Sequence, residues 1–585
     1  MPMERKWGSD VIAEMIRALD IEYIAINPGA TYRGLHDSFV NYLGDTKPQL
    51  LLCHHEEIAV AIAHGYNKAS GKIMGAFVHN IVGLLHASMA VFNAYTDRAG
   101  LLLFGATGPV DASKRRAWID WIHTANVQGQ AVRDFVKWDD QPHSVEAALE
   151  SLVRAHRLAS AHPQGPVYIN FDAGIQEEEL DREITLPDVT RFPQPSRLQA
   201  DPEAIEQTAG LLAGAKRPVL VAGYLGRSQE AVDALCRMAE RLQAPVVDID
   251  DLFNFPTHHP LWANDSAEDV LAEADVVVAM DVYDLQQSLT NLDRRTRVNQ
   301  PIIPPTAKLV DISMRHQIVR SWADVQGSLF PTHLSIAADT ALAVPTLADA
   351  VSRRLDDADP QTDARAKRRT QMAALHQKGK QEALDTARAT AGEAPMHLSH
   401  VANTIWEAVR KHDWVLANGD LRGWIRRIWD FQHPYQNTDS RGGGGLGRGL
   451  GLAIGVALAN RDTGRLTVNV QSDGDSLFTP AAIHTAVRYN IPHLIVMHNN
   501  RTYGNDLGHQ GVVAQTRSRD EARRNIGIDI TDPDIDYATM ARSFGAWAEG
   551  PITDPAQLAG ALERAIHEVT VNKRVALVDV VTQWR

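Results

Sequence analysis

Only two cysteines occur in 585 residues, Cys53 and Cys236, far apart and outside any CxxC or Cys/His cluster. Neither belongs to a metal or redox motif, and a reducing compartment, the cytoplasm, is the expected setting. No apolar run reaches the roughly 20 residues needed to cross a bilayer, so no membrane partner is expected. The N-terminal stretch MPMERKWGSDVIAEMIRALD carries its charges inside an amphipathic helical pattern rather than ahead of a cleavable apolar core. Positive charge is in deficit: 58 Lys and Arg against 72 Asp and Glu leave a net charge of -14. That balance argues against a nucleic acid or an anionic membrane surface as the main partner, and it requires any anionic ligand to be held by a local device. Short-period repeats and low-complexity tracts are also missing.

What is present is a chain too long for one hydrophobic core, with 44% hydrophobic and 22% charged residues, the composition of an ordinary globular protein. Apolar runs alternate with helical patterns from the start: EYIAIN, QLLLC, GAFVH and LLLFGAT read as strands, with Glu56 to Lys72 and Val82 to Tyr95 as helices between them. After the Pro-rich LPDVTRFPQPSRLQADPE comes a second set, PVLVAGYL, AVDALCRMAERL, APVVDID, ADVVVAM and AKLVDIS. A third runs through WVLAN, LTVNV, LIVMHNN and ALVDVV. The expected fold is α/β, with three doubly wound parallel-sheet domains at 1–185, 195–345 and 395–585. Residues 346–394, rich in Ala, Arg, Asp and Lys, read as a solvated helix or connector rather than core.

The most informative stretch is LTVNVQSDGDSLFTPAAIHTAVRYNIPHLIVMHNNRTYGND. It reads as strand, helix and strand, with Thr479 and Pro480 as N-cap and first helical residue. Its crossover puts Asp473 and Asn500 at the carboxyl ends of parallel strands, where open α/β sheets bind ligands. One carboxylate and one amide oxygen suit Mg2+, a hard ion that leaves its other positions to phosphate and water, so a diphosphate cofactor follows. Upstream, DSRGGGGLGRGLGLAIGVALAN leads a run of glycines into a helix, a place where backbone can approach a ligand and a helix start can favour phosphate.

The Asp473-Gly474 turn followed some two dozen residues later by Asn499-Asn500 resembles the binding fingerprint of thiamine diphosphate enzymes. That resemblance implies Asp473 and Asn500 as side-chain metal ligands and Thr502 as a backbone-carbonyl ligand, with Gly474, Asp475 and Ser476 beside the diphosphate. It makes Gly444 the carbonyl acceptor for the cofactor's 4'-amino group and Leu446 the apolar wedge that bends the cofactor. Two positions depart from the family pattern: Ser472 replaces the first glycine of the turn, and Asp475 stands where a small residue is usual. The extra carboxylate either tightens the metal site or points away.

The segment LLLCHHEEIAVAIAHGYNKASGK resembles the family's glutamate motif, which makes Glu56 the acid that protonates the cofactor's pyrimidine ring. The neighbouring Glu57 reads as a charge complementing a helix start. By the same resemblance the three domains are pyrimidine-binding, middle and diphosphate-binding. One cofactor bridges two subunits, so a homodimer or homotetramer is implied.

The loop INPGATYRG resembles the substrate loop of benzoylformate decarboxylase-like members, with Ala30 where they carry a serine, and His79 falls at an active-site histidine. RRAWIDWIHTANVQGQ resembles an acetolactate synthase-like segment, with His123 where those enzymes carry a glutamine. Ala30, His79 and His123 are thus the expected substrate contacts, and Tyr283 and Gln286 are weaker candidates from the middle domain. Asp420, Trp424 and Leu477 are expected to shape the pocket. Acetolactate synthase-like relatives carry FAD, but GYLGRSQEAV is not a dinucleotide fingerprint, so FAD is not expected.

The implied activity is that of a lyase or decarboxylase cleaving or forming a C–C bond next to a carbonyl, in a 2-oxo acid or 2-hydroxy ketone, with a small-molecule carbonyl substrate. The alternatives are an acetolactate synthase-like carboligase, a CoA-ester lyase, and a silent relative that binds cofactor without turnover. The presence of Glu56 argues against the last.

Overall fold

The structure, a computed structural model, describes residues 5–249, 252–317, 329–357, 362–439 and 442–584. Three parallel sheets follow one another along it. The first contains β1 (Tyr23–Ile26), β2 (Gln49–Leu52), β3 (Met74–Phe77), β4 (Leu101–Thr107), β5 (Trp138–Asp140) and β6 (Pro166–Asp172), in the order β2-β1-β3-β4-β6-β5. All seven residues of β4 and of β6 are buried, as strands covered by helices on both faces must be. The connection from β1 leads to β2 on one side and that from β3 leads to β4 on the other, opening a crevice between the carboxyl ends of β1 and β3.

The second sheet contains β7 (Pro218–Ala222), β8 (Val246–Asp248) and β9 (Val276–Met280), then, after a small antiparallel hairpin of β10 (Thr290–Asp293) and β11 (Val298–Pro301), β12 (Lys308–Ser313) and β13 (Leu334–Ala337). Its order is β13-β12-β9-β7-β8. The third contains β14 (Trp414–Asn418), β15 (Leu466–Ser472), β16 (Leu494–Asn499), β17 (Trp547–Ile552) and β18 (Ala576–Val581), in the order β14-β15-β16-β18-β17. The fold is therefore three parallel α/β domains, as expected.

Two local expectations need correction. The stretch expected as a connector begins with a core helix. Within Thr340–Asp357, the residues Ala343, Val344, Leu347, Ala350 and Val351 are fully buried in the middle domain, because their small and branched side chains recur at helical spacing. The helix Thr362–Ala389 matches the expected solvated connector better, with Met372, Ala383 and Ala387 its main buried apolar contacts. Likewise Thr479 and Pro480 do not begin a helix, which instead spans Ala482–Arg488 with Ala481 as its N-cap. The Thr479 hydroxyl is used elsewhere, donating to the Gly447 carbonyl at 2.7 Å and so tying the glycine segment to the metal fingerprint.

The first and third domains lock together where the helix Glu56–Ser70 crosses the helix Arg448–Ala459. The backbones meet at small residues: a Cβ on Gly65 would overlap the Leu452 carbonyl, and one on Gly455 the Ile62 carbonyl. This crossing fixes the start of the Glu56 helix against the start of the Arg448 helix.

Candidate active site

The carboxyl ends of β14, β15 and β16 surround a cavity of about 400 Å³, lined among others by Asp473, Gly474, Asp475, Asn500 and Thr502. Ser472 and His498 are register partners on β15 and β16, so Asp473 and Asn500 follow on adjacent strands. Asp473 is buried and accepts the Gly474 and Arg501 N–H groups at 2.8 and 2.6 Å. Burial nevertheless pushes its carboxyl up to about 6, with Asp579 adding to the effect. Its carboxylate, with the Asn500 amide oxygen and the Thr502 carbonyl, is an oxygen donor set that could hold a hard divalent ion.

Asn500 Oδ1 accepts the Thr502 N–H at 3.0 Å, and its amide nitrogen meets His498 Nε2 at 3.1 Å. His498 meets the Thr582 hydroxyl at 2.6 Å through its other nitrogen, and burial lowers its pKa to about 4, so it is a neutral prop. The Ser476 hydroxyl donates to the Asp473 carbonyl at 2.7 Å. Gly444 adopts φ 72° with open space beside it, and Leu446, 39% exposed, lines the same cavity. Asp420 is a further wall residue, whereas Trp424 packs against His397 and Arg427 instead. Leu477 packs at the edge of an apolar core cluster.

Asp475 lines this cavity, but both of its oxygens are engaged. Oδ1 accepts the Gly447 N–H at 2.7 Å, and Oδ2 accepts the Gly449 N–H at 3.1 Å and the Gln471 amide at 2.6 Å. The helix start that was expected to favour phosphate is thus capped by a carboxylate from the chain itself.

Across from Asp475 lies Glu57, buried, its Oε1 without a hydrogen-bond partner among the described residues. Burial pushes its carboxyl from 4.5 up to about 7, and the Asp475 charge adds to this. A carboxyl raised in the folded state stabilises the fold below its ordinary value, and that contribution is lost as pH climbs through about 7. Glu57→Gln should therefore leave the melting temperature unchanged at pH 5 and raise it at pH 8.5, by about 2 kcal/mol of stability. Thermal melts at the two pH values check this, and equal gains at both would contradict it.

The other expected residues gather in the first domain. Glu56 opens its helix and is 5% exposed. His79 ends β3 and caps the helix Asn80–Thr96, and its ring stands 4.8 Å from that of His123, edge to face. Ala30 starts the short turn Ala30–Tyr32 at the end of β1, and Gly29 packs on the His79 ring. Several buried polar atoms here have no partner among the described residues: Tyr32 Oη, Thr31 Oγ1, both Asn80 amide atoms, His79 Nε2 and His123 Nδ1. Buried polar groups in a core are almost always hydrogen-bonded, so this concentration sets the region apart from the surrounding core. Sequence reasoning missed Tyr32 and Asn80, although the φ of +37° at Asn80 marks an unusual backbone. It also gave no role to His86, whose Nδ1 lies 3.2 Å from Glu56 Oε2.

The cavity around Asp473 is lined only by third-domain residues among those described, and the first domain meets its glycine loop from outside, with Met89 against Gly445 and Glu57 against Gly447. In the middle domain, the reversal point between β7 and β9, where such sheets bind nucleotides, is filled by side chains. Arg98 from the first domain reaches Asp281 at 2.7 Å, both buried; Arg227 also contacts Asp281 and pairs with Asp339. Tyr283 faces the Arg98 guanidinium at 5.8 Å, and the Gln286 carbonyl accepts the Thr290 hydroxyl.

The sequence matches three parts of one family: the N-terminal TPP binding domain of thiamine pyrophosphate enzymes over residues 6–130, their central domain over 205–328 and their C-terminal TPP binding domain over 417–580. The chain belongs to the thiamine pyrophosphate (thiamine diphosphate) enzyme family. It is 27% identical to the acetolactate synthase large subunit of Lactococcus lactis over 46% of this chain and 47% of that protein, about half its length. To the Haemophilus influenzae acetolactate synthase large subunit it is 23% identical over 93% of both. A probable 2-ketoarginine decarboxylase of Pseudomonas aeruginosa is 28% identical over 43% of both chains. The fold is shared with a Rhodococcus jostii thiamine diphosphate-dependent 4-hydroxybenzoylformate decarboxylase, with a TM-score of 0.75, 19% identity and 99% of both chains covered. Among the described residues no helix is long and apolar enough to cross a membrane.

Proposed function

We propose that this protein is a Mg2+-assisted thiamine diphosphate lyase that cleaves the C–C bond beside a carbonyl in a 2-oxo acid or 2-hydroxy ketone. The observation that carries this is the division of the site. Asp473, Asn500 and Thr502 converge on a cavity in the third domain, while Glu56, His79 and His123 cluster in the first. A homodimer, or a tetramer built from two, joins one copy's Glu56 to the other copy's cavity.

Bound thiamine diphosphate supplies a nucleophilic carbon and an electron sink. Asp473, the Asn500 amide oxygen and the Thr502 carbonyl would hold Mg2+ there, and the backbone beside Gly474, Asp475 and Ser476 would line the diphosphate's place. Gly444 would offer a carbonyl to the cofactor's amino group, and Leu446 would pack against its rings. Glu56 gives and retrieves the proton that activates the cofactor. His79 and His123 face the substrate, and burial lowers the His79 pKa, with His123 adding to the effect, so His79 serves as a neutral donor or acceptor near pH 7. Ala30 adds no hydroxyl to this wall.

Flavin has no part in this reading, because GYLGRSQEAV is not a dinucleotide fingerprint. Two free cysteines, one buried and one partly buried, suit a cytoplasmic setting.

The alternative, a carboligase that passes the two-carbon or aryl unit to a second carbonyl, is favoured by the near full-length similarity to an acetolactate synthase. Incubation with Mg2+, thiamine diphosphate and a panel of aliphatic and aromatic 2-oxo acids, with and without an acceptor aldehyde, separates the two. Aldehyde and CO2 are expected from the lyase, and a joined hydroxy ketone from the carboligase. No CO2 from any acid would overturn 2-oxo acid cleavage.

A further inference from the structure

Two histidines and a glycine crowd around the Glu56 carboxyl. His86, two turns into the helix Asn80–Thr96, brings Nδ1 to 3.2 Å from Oε2. The ring of His55 stacks on that of His86 at 4.9 Å and 21°, and its Nδ1 accepts the Glu57 N–H, which fixes it in place. Gly83, one turn before His86, leaves room for the carboxyl: a Cβ there would lie 2.7 Å from Oε1. Tyr32 and His79 lie within reach of the Glu56 charge, Glu57 follows it on the helix, and His123 stands behind His79. Oε1 takes no hydrogen bond from a described residue, so the two oxygens of Glu56 are not equivalent.

We propose that His86 is a positioning residue for the activating glutamate: its Nδ1–H donates to Oε2 and makes Oε1 the oxygen that exchanges a proton with the cofactor's pyrimidine nitrogen. This rests on the role of Glu56 given above. The step is a single proton transfer, from Oε1–H to the ring nitrogen and back to the same oxygen, and it needs no other reactant. A hydrogen bond to a carboxylate favours its charged form, so His86 makes Glu56 a readier donor. The stacked His55 ring keeps His86 from turning away, although the side chain of His86 is 59% exposed in the single chain.

The test compares wild type, His86→Leu and His86→Asn, all with saturating Mg2+. Thiamine diphosphate binding is followed by calorimetry in two buffers of different ionisation heat, which yields the protons taken up at each pH. The pH profile of kcat is recorded beside it. Losing a donor to a charged acceptor is worth about one pH unit or slightly more. In His86→Leu the half-point of proton uptake should rise by about that much, and the acid limb of kcat should move with it. His86→Asn, whose amide still donates, should return most of the shift. Titration of Asp473 is common to all three proteins and cancels in the comparison.

Identical half-points in wild type and His86→Leu would overturn the proposal, even with a lower melting temperature, because a merely structural role leaves the titration in place. If that happens while wild type turns over and Glu56→Gln does not, only the His86 assignment fails. If wild type does not bind thiamine diphosphate, both readings fail.

Discussion

Glu56→Gln should lower turnover by about 10² to 10⁴ fold, the range expected when a positioned acid is removed, while thiamine diphosphate still binds. Glutamine keeps the volume and can still meet His86 through its amide, so packing around a residue only 5% exposed is preserved. What it cannot do is give up and regain a proton. Glu56 is buried at a helix start with His86 as its side-chain partner, and this is the setting in which the proposed proton exchange would take place. Steady-state rates on whichever 2-oxo acid wild type accepts, with a cofactor titration and a thermal melt of the variant, measure this. Retention of more than about a tenth of the activity would mean that activation runs through another group and would remove the main support for the proposed chemistry.

Much of this architecture was legible because local patterns carried it. Covered parallel strands must be apolar along their whole length, so LLLFGAT, LTVNV and ADVVVAM declared themselves. By contrast β5, a tryptophan and two aspartates half-buried at a sheet edge, carries no strand signal of its own, and the apolar run of β6 went unread behind its opening Pro166. The helix Thr340–Asp357 hid in a composition that suits a surface, because its core contacts come from helices more than 90 residues earlier.

The same holds within the site. Asp473 and Asn500 were proposed from their spacing on a strand-helix-strand unit and Glu56 from the family's glutamate motif, and each sits at a strand end or helix start that the sequence marks. The partnerships of His86 with Glu56 and of Asp475 with Gly447 and Gly449 join residues about 30 apart through packing of whole helices. Nothing in the sequence pattern specifies which side chain faces which across such a contact. Asp475 shows the consequence: the fingerprint marked it as anomalous, and only the docking of the Arg448 helix reveals that it caps that helix.

The second large effect is expected far from the chemistry. Arg98→Met should destabilise the protein by about 3–5 kcal/mol, because it strands a charge rather than because it loses a favourable bond. Arg98 is 3% exposed and Asp281 fully buried at 2.7 Å, so each is tolerated only through the other and through Arg227. Burial alone would raise the Asp281 carboxyl, yet Arg98 and Arg227 hold it below its ordinary range. A group held low stabilises the fold above its ordinary pKa, and that contribution is lost only as pH falls through the lower folded value. The loss in Arg98→Met should therefore be complete at pH 7 and shrink toward pH 3.

Arg98 comes from the first domain and Asp281 from the end of β9, so the pair also ties the middle domain to its neighbour across 183 residues of chain. The variant should show an earlier melting transition for the middle domain, separated from that of the other two, since multidomain chains need not unfold in one step. Adding Asp281→Leu to Arg98→Met should recover part of the loss by removing the stranded charge, with Arg227 still paired to Asp339. Differential scanning calorimetry of the two single variants and the double variant decides the matter. If Arg98→Met melts as wild type does at pH 7, the cluster is not a clamp, and Asp281 is reached by water or neutralised in some other way.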